Sequence, residues 1–143
     1  MEKDRIEAAL ETSRLWFKAA EDTRKGGSYN VSLYSLEMSM EIMLKAILMT
    51  QGIDPPKTHD IGNVVKRALG DLKNKNIDKK ELAEIIDLFY VLLGLRNESG
   101  YMYDSRMSNS SLKELVNKYF EATRKSLQSC TRILNLLTSR LNR

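Results

Sequence analysis

The chain has 143 residues, a length typical of one folded domain, and 42% of them are hydrophobic, as in ordinary soluble proteins. Its single cysteine, Cys130, excludes an internal disulfide and a cysteine-based metal cluster, and a net charge of +4 does not by itself indicate a nucleic-acid-binding protein. Residues 1–10 are charged and lack the apolar segment of a secretory signal, so we expect a soluble, cytoplasmic protein with one domain over residues 1–143.

The first predicted helix runs from about Lys3 to Lys25. Apolar residues recur along it at three- and four-residue intervals, which is the periodicity of a helix with one buried face. These residues, with one serine on the same face, are Ile6, Ala9, Leu10, Ser13, Trp16, Phe17 and Ala20. Either Gly26 or Gly27 can adopt the left-handed conformation that ends a helix.

The second predicted helix, from about Tyr29 to Gln51, is apolar around most of its circumference. Such a helix lies at the centre of a protein or at a subunit interface. Its charges are confined to Glu37, Glu41 and Lys45, and their four-residue spacing places them on one face. Lys45 also interrupts the longest apolar stretch, which is too short to span a bilayer, so no membrane association is expected.

This charged row has two interpretations. Glu followed by Lys four residues later stabilises a solvent-facing helix stripe, by about 0.2–0.5 kcal/mol per pair. The apolar residues around the row favour the alternative, in which the charges line a groove.

Two shorter helical segments follow. The third helix is predicted to begin at Thr58 as its N-cap and to end near Gly70. The fourth is predicted to begin at Asp78, which forms a capping-box-like pair with Glu81. Its predicted buried face consists of Leu82, Ile85, Ile86, Phe89, Tyr90 and Leu93.

The fifth predicted helix begins at Ser111, which is followed three residues later by Glu114 as in a capping box. Apolar residues repeat along it for about 30 residues, or roughly 45 Å. They include Leu112, Leu115, Tyr119, Leu127, Cys130, Leu134, Leu137 and Leu141. This length exceeds what the other helices can cover, which predicts contact with a second subunit. No segment reads as a strand, so the sequence predicts an all-α fold of about five helices.

The stretch GLRNESGYMYD, which follows the fourth helix, combines turn residues with an unusual set of side chains. A turn needs Gly and Asn, but it does not need Arg96, Tyr101 and Tyr103 at this spacing. From the residues alone, the favoured interpretation is structural: Arg96 satisfies the last carbonyls of the helix and pairs with Glu37 or Glu41.

The segment SLEMSMEIMLKAILMTQGIDPPKTHDIGNVV resembles the second and third helices of HEPN domains. That family has a Glu and a Lys four residues apart and then an alanine, followed by a glycine, a proline turn and Thr-His-Asp. The matching residues here are Glu41, Lys45, Ala46, Gly52, Pro55, Pro56, Thr58, His59, Asp60 and Ile61. The resemblance extends from about Ala9 to Leu127.

The functional element of the family is a motif at the end of the fourth helix. It contains an Arg, often followed by Asn, then a His and in some members a Tyr two residues later. The sequence RNESGYMY fits this motif with Arg96, Asn97 and Tyr103, but Tyr101 stands where the histidine would be.

The resemblance implies an up-and-down antiparallel helical bundle, usually a homodimer, with the Arg motif in a groove near the subunit interface. Members with both Arg and His include metal-independent RNases. Many other members lack nuclease activity and occur beside a small nucleotidyltransferase, often as a prokaryotic toxin–antitoxin pair. In one such subgroup the Tyr of the motif accepts an AMP group, which makes Tyr103 the candidate for adenylylation.

The missing histidine bears on catalysis. A general base works best when its pKa is near the ambient pH, whereas the ordinary pKa of a tyrosine is about 10. The sole histidine of the chain, His59, lies in the turn before the third helix, where capping or packing is its expected role. The sequence therefore predicts that the familiar nuclease mechanism is lost.

Three hypotheses follow. The favoured one is a non-catalytic or degenerate HEPN homodimer that works with a nucleotidyltransferase and binds a nucleotide or RNA phosphate, without a metal or cofactor. The groove in this hypothesis is lined by Glu41, Lys45, Arg96, Asn97, Tyr101 and Tyr103. The second is an RNase with an altered site at Arg96 and Tyr101. The third is a helical assembly module that binds no ligand.

Overall fold

The structure of this protein, a computed structural model, is a bundle of α-helices. It describes residues 2–70, 76–99 and 107–139. In chain order the helices are α1 (Glu2–Lys25), α2 (Tyr29–Thr50), α3 (Gly62–Gly70), α4 (Lys79–Ser99) and α5 (Asn109–Thr138). No strand occurs within these three ranges, and the prediction of an all-α protein with about five helices is confirmed.

The first two helices end at glycines, as the sequence predicts. Gly27 has a φ of +80°, and the next residue, Ser28, donates its backbone N–H to the carbonyl of Thr23 at 2.8 Å. Gly52 ends α2 in the same way with a φ of +71°. Glycine adopts this left-handed conformation without the steric cost that a Cβ atom brings.

The helix α2 lies at the centre of the bundle. Fourteen of its 22 residues are buried, and it packs against each of the other four helices. The sequence predicted a central or interfacial helix, and the central position is the one observed. Small polar residues let α1 approach it closely: Ser13 Oγ donates to the Ser39 carbonyl and Ser32 Oγ donates to the Ala20 carbonyl, both at 2.7 Å.

Two predicted helix starts are wrong by a few residues. The helix α3 begins at Gly62, four residues after the predicted N-cap Thr58. Thr58 Oγ1 accepts the backbone N–H of Asp60 (3.3 Å) within the preceding turn, so it does not cap the helix. The helix α5 begins earlier than predicted because Ser108 is its N-cap and accepts the backbone N–H of Ser111 at 3.1 Å. Each segment offers more than one Ser, Thr or Asp that could cap, so the sequence alone does not identify the N-cap.

The start of α4 agrees with the prediction. Asp78 Oδ1 accepts the backbone N–H of Lys80 at 2.9 Å, as an N-cap carboxylate does. Glu81 does not complete a capping box among the hydrogen bonds seen in the described ranges; it pairs instead with Arg132 of α5. This ion pair joins α4 to α5 at the surface.

The helix α5 is buried on one face along its whole length by the same chain. Its buried residues are Leu112, Val116, Phe120, Thr123, Cys130, Ile133, Leu134 and Leu137. The length of α5 therefore does not by itself indicate a second subunit, and the predicted contact with one stays a prediction; Leu141 lies outside the described residues. Cys130 is fully buried, and burial raises the pKa of its thiol to about 12, so it acts as a small hydrophobic residue, as predicted.

Across the described ranges, each helix is either too short or too polar to cross a lipid bilayer.

Candidate functional site

Arg96, near the end of α4, contacts the charged row of α2. Its Nη1 atom donates to Glu37 Oε2 at 2.9 Å and lies 3.8 Å from Glu41 Oε1. The side chains of Glu37 and Glu41 are 0% and 2% exposed. The interpretation of this row as a solvent-facing stripe is therefore wrong for the two glutamates. Arg96 pairs with Glu37, as the structural interpretation of this arginine predicts, and the same contact agrees with the groove interpretation.

The guanidinium of Arg96 is held on several sides. Its central carbon lies 4.3 Å from the centre of the Tyr34 ring, a cation–π contact, and Nη1 lies 3.7 Å from Met38 Sδ. Its side chain is 12% exposed. These contacts fix the guanidinium in one place, close to the surface.

His59 joins the same group, although the sequence suggested a capping or packing role for it. Its Nδ1 atom lies 2.9 Å from Glu41 Oε1 and 3.2 Å from Arg96 Nη1. Its side chain is 55% exposed, so it is not packed in the core, and α3 begins three residues after it. Sequence analysis missed this residue as a site residue; the available signal was the Thr-His-Asp element of the family.

Lys45 completes the group. Its Nζ atom lies 3.1 Å from Glu41 Oε2, so each oxygen of the Glu41 carboxylate contacts a different basic residue. We call these residues the Arg96 cluster, which consists of Glu37, Glu41, Lys45, His59 and Arg96.

A hydrogen-bonded tyrosine on α4 holds the loop that carries His59. Tyr90 Oη donates to Asp60 Oδ1 at 2.7 Å and accepts the backbone N–H of Asn63 at 2.9 Å. The ring also packs against Gly62, where an added Cβ atom would come within 2.5 Å of it. Burial and the bond to Asp60 raise the pKa of the Tyr90 phenol, so it stays a donor at neutral pH. The position of His59 thus depends on α4 as well as on α2.

Removal of this hydroxyl tests its structural role. We expect Tyr90→Phe to lower the free energy of unfolding by about 1–2 kcal/mol, because Asp60 and the Asn63 N–H lose their shared partner. Urea denaturation followed by circular dichroism measures this change. Tyr119→Phe on α5 is the matched control, with an expected change within about 0.5 kcal/mol. Equal effects of the two substitutions would show that the Tyr90 hydroxyl does not hold the loop.

The two acidic residues have opposite pKa shifts. Burial is the main cause that raises the pKa of Glu37 to about 8; the neighbouring Glu41 carboxylate contributes to this rise, and Arg96 acts in the opposite direction. One oxygen of Glu37, Oε1, is buried without a hydrogen-bond partner among the described residues, which agrees with burial as the main cause. Burial also acts to raise the pKa of Glu41, but hydrogen bonds from Glu37, His59 and Lys45 outweigh it and lower that pKa.

Three residues of the cluster have the spacing of metal ligands. Glu37, Glu41 and His59 each offer one ligand atom, and these atoms lie within 4.8 Å of one another. Arg96 Nη1, however, lies within 4 Å of all three residues, so the guanidinium already takes the position of a cation between them. A metal ion would have to displace it.

The structure brings together only part of the predicted site. Glu41, Lys45 and Arg96 converge, and Asn97 is exposed in the last turns of α4. Tyr101 and Tyr103 lie outside the described residues, so base stacking by either residue and adenylylation of Tyr103 stay predictions.

Comparison with known proteins identifies one family. The family model of the HEPN domain matches residues 6–139, which include every residue of the Arg96 cluster. No curated protein and no solved structure matches the chain.

Proposed function

Because this chain belongs to the HEPN domain family, we propose that its Arg96 cluster binds the phosphate of a nucleotide or of RNA. The observation that carries this proposal is the convergence of three basic side chains, Lys45, His59 and Arg96, where α2, α4 and the α2–α3 loop meet. The planar fork of N–H donors in a guanidinium matches two phosphate oxygens.

The charge of the cluster supports anion binding. With a pKa of about 8, Glu37 holds its proton at neutral pH, whereas Glu41 is ionised because its pKa is lowered. The positive charges of Arg96 and Lys45 then face a single negative charge. This excess of positive charge attracts a phosphate group.

The arrangement of Arg96 also suits a ligand that arrives from the solvent. Its Nη1 atom faces the buried Glu37, and its Nη2 atom lies 3.5 Å from Nε2 of the exposed His59. A phosphate at this edge can contact guanidinium and imidazole nitrogens together while the bond to Glu37 stays intact.

Binding of a labelled RNA tests the proposal. We expect the wild-type protein to bind a fluorescent single-stranded RNA in fluorescence anisotropy, with affinity that falls as salt rises. Lys45→Met should weaken binding about tenfold, because it removes one charged contact to phosphate and keeps the apolar stem. Lys125→Met on the exposed surface of α5 is the matched control and should bind like the wild type. Unlabelled AMP as competitor shows whether a single nucleotide suffices.

The opposite result would support another hypothesis. If the wild-type protein binds neither the RNA nor AMP at low salt, phosphate binding is wrong and the cluster is a structural ion-pair network. The chain would then be a helical assembly module.

We further propose, from its family membership, that the protein forms a homodimer and acts with a nucleotidyltransferase as a toxin–antitoxin pair. Leu15 and Val91 are large hydrophobic residues with 50% and 40% exposure, and they are candidates for contacts with another chain. Light scattering of the purified protein measures the dimer. Purification from the native cell with mass spectrometry detects a nucleotidyltransferase and an AMP group on Tyr103; a monomer without a partner would contradict both parts.

A further inference from the structure

We propose that Trp16 of α1 is a stacking site for the base of a nucleotide whose phosphate is bound at Arg96. This inference rests on the proposed phosphate site and deepens it, because it restricts the ligand to one that carries an aromatic base. The feature behind it is an aromatic pair, Trp16 and Tyr34, which connects the surface of α1 to the guanidinium.

The pair and the guanidinium form a continuous run of planar groups. The central carbon of the Arg96 guanidinium lies 4.3 Å from the centre of the Tyr34 ring. The ring centres of Tyr34 and Trp16 are 5.8 Å apart at an interplanar angle of 60°, an edge-to-face contact. Among the described residues the Trp16 ring has no other aromatic contact. No aromatic side chain is therefore stacked on its faces.

Neither ring of the pair is a core residue, although the periodicity of the first helix placed Trp16 on its buried face. Both side chains are partly exposed, and neither is among the partly buried hydrophobic residues that pack against the core. Phe17, the next residue in the chain, shows the contrast. It packs against the core and stacks on Phe120, with ring centres 5.0 Å apart. Core packing therefore explains Phe17 but does not explain the tryptophan.

The surface of α2 next to the pair is also apolar and partly exposed. Tyr34, Met38 and Ile42 recur every four residues and share one face of the helix. Met38 Sδ lies 3.7 Å from Arg96 Nη1, so this face borders the Arg96 cluster. A charged site bordered by an apolar aromatic surface suits a ligand with one anionic end and one flat apolar end.

A nucleotide has this combination of groups. A single ribose separates its phosphate from its base, and a single ring, that of Tyr34, separates Arg96 from Trp16. Aromatic side chains bind bases through their flat faces, and every base has a face suited to this contact. Inorganic phosphate and sugar phosphates offer nothing to the tryptophan. The aromatic pair therefore selects a nucleotide over these other phosphates.

Fluorescence tests the inference directly, because Trp16 is the only tryptophan in the chain. At low salt we expect AMP to quench the emission of the wild-type protein until the site is saturated. Ribose 5-phosphate should bind without quenching. Isothermal titration calorimetry of the same samples gives the two affinities. AMP should bind about tenfold or more tightly than ribose 5-phosphate, because only AMP has a base that can stack.

A substitution separates stacking from a general effect on the site. We expect Trp16→Leu to weaken AMP binding about tenfold or more and to leave the affinity for ribose 5-phosphate unchanged. A merely structural role would weaken both ligands alike. Tyr119→Leu is the matched control, since Tyr119 is a partly exposed tyrosine of α5 with Lys118 Nζ 5.3 Å from its ring centre. It should bind AMP like the wild type. Circular dichroism verifies that both variants are folded.

The results distinguish this inference from the proposed function. Equal wild-type affinities for AMP and ribose 5-phosphate, with unchanged Trp16 emission, overturn the inference and leave phosphate binding intact. If neither ligand binds, the proposed function is overturned with it. If Trp16→Leu converts a dimer into a monomer and leaves the affinity for AMP unchanged, the aromatic pair is a contact between two copies of the chain, and the inference is again overturned.

Discussion

Replacement of Arg96 by alanine is expected to lower the free energy of unfolding by about 2–4 kcal/mol at pH 7. The substitution removes a charged hydrogen bond of 2.9 Å to the buried Glu37 and the cation–π contact with Tyr34. It also leaves Glu37 Oε2, which is buried, without the donor of that bond. Urea denaturation followed by circular dichroism measures the change.

A double-mutant cycle separates this interaction from general loss of packing. Glu37→Gln keeps the shape of the side chain and removes its ability to ionise. If the two side chains act as a pair, the combined variant should be more stable than the sum of the two single changes predicts, by about 1 kcal/mol or more. Additivity within about 0.5 kcal/mol would show that Arg96 and Glu37 act independently. Arg96→Lys, which keeps the charge and loses the fork, should fall between Arg96→Ala and the wild type.

The stability of the wild-type protein is expected to fall by about 2–4 kcal/mol as the pH rises from 5 to 8. Burial raises the pKa of Glu37 from its ordinary value of 4.5 to about 8 in the folded protein. Over this range the unfolded chain has released the Glu37 proton, whereas the folded protein still holds it. The folded state therefore binds more protons, and stability decreases with pH until it levels off above pH 8.

Glu41 does not reverse this trend in the same interval. Its pKa is lowered, so its contribution to stability is present above its ordinary pKa of 4.5 and is lost only in more acidic solution. Glu37→Gln isolates the effect, because the wild-type minus variant difference in unfolding free energy should show the slope between pH 5 and 8. Equal slopes for the two proteins would mean that Glu37 titrates at an ordinary pKa despite its burial.

Helix content and several helix ends could be predicted because they depend on neighbouring residues. Gly27 and Gly52 end helices because only glycine reaches the left-handed conformation cheaply, and Asp78 caps α4 through a bond two residues away. The contact between Arg96 and the acidic row could also be predicted, because residues four apart share a helix face and no other charged residue interrupts α2.

The position of His59 could not be predicted in this way. It lies 18 residues from Glu41 and 37 from Arg96 in the chain, so no periodic pattern connects them. The loop that carries it is held by the bond of Tyr90 to Asp60 and by packing on α4. Its assignment from sequence to a capping or packing role is therefore replaced by a place in the cluster.

The sequence by itself determined an all-α HEPN protein with a motif arginine and a row of charges on its second helix. Only the tertiary structure decided which of these charges is buried, which carboxyl holds its proton, and which histidine stands beside the arginine. Helix periodicity and capping act over a few residues, and the sequence shows them directly. Burial and the pKa shifts that follow from it depend on groups distant in the chain, and these come together only when the helices pack.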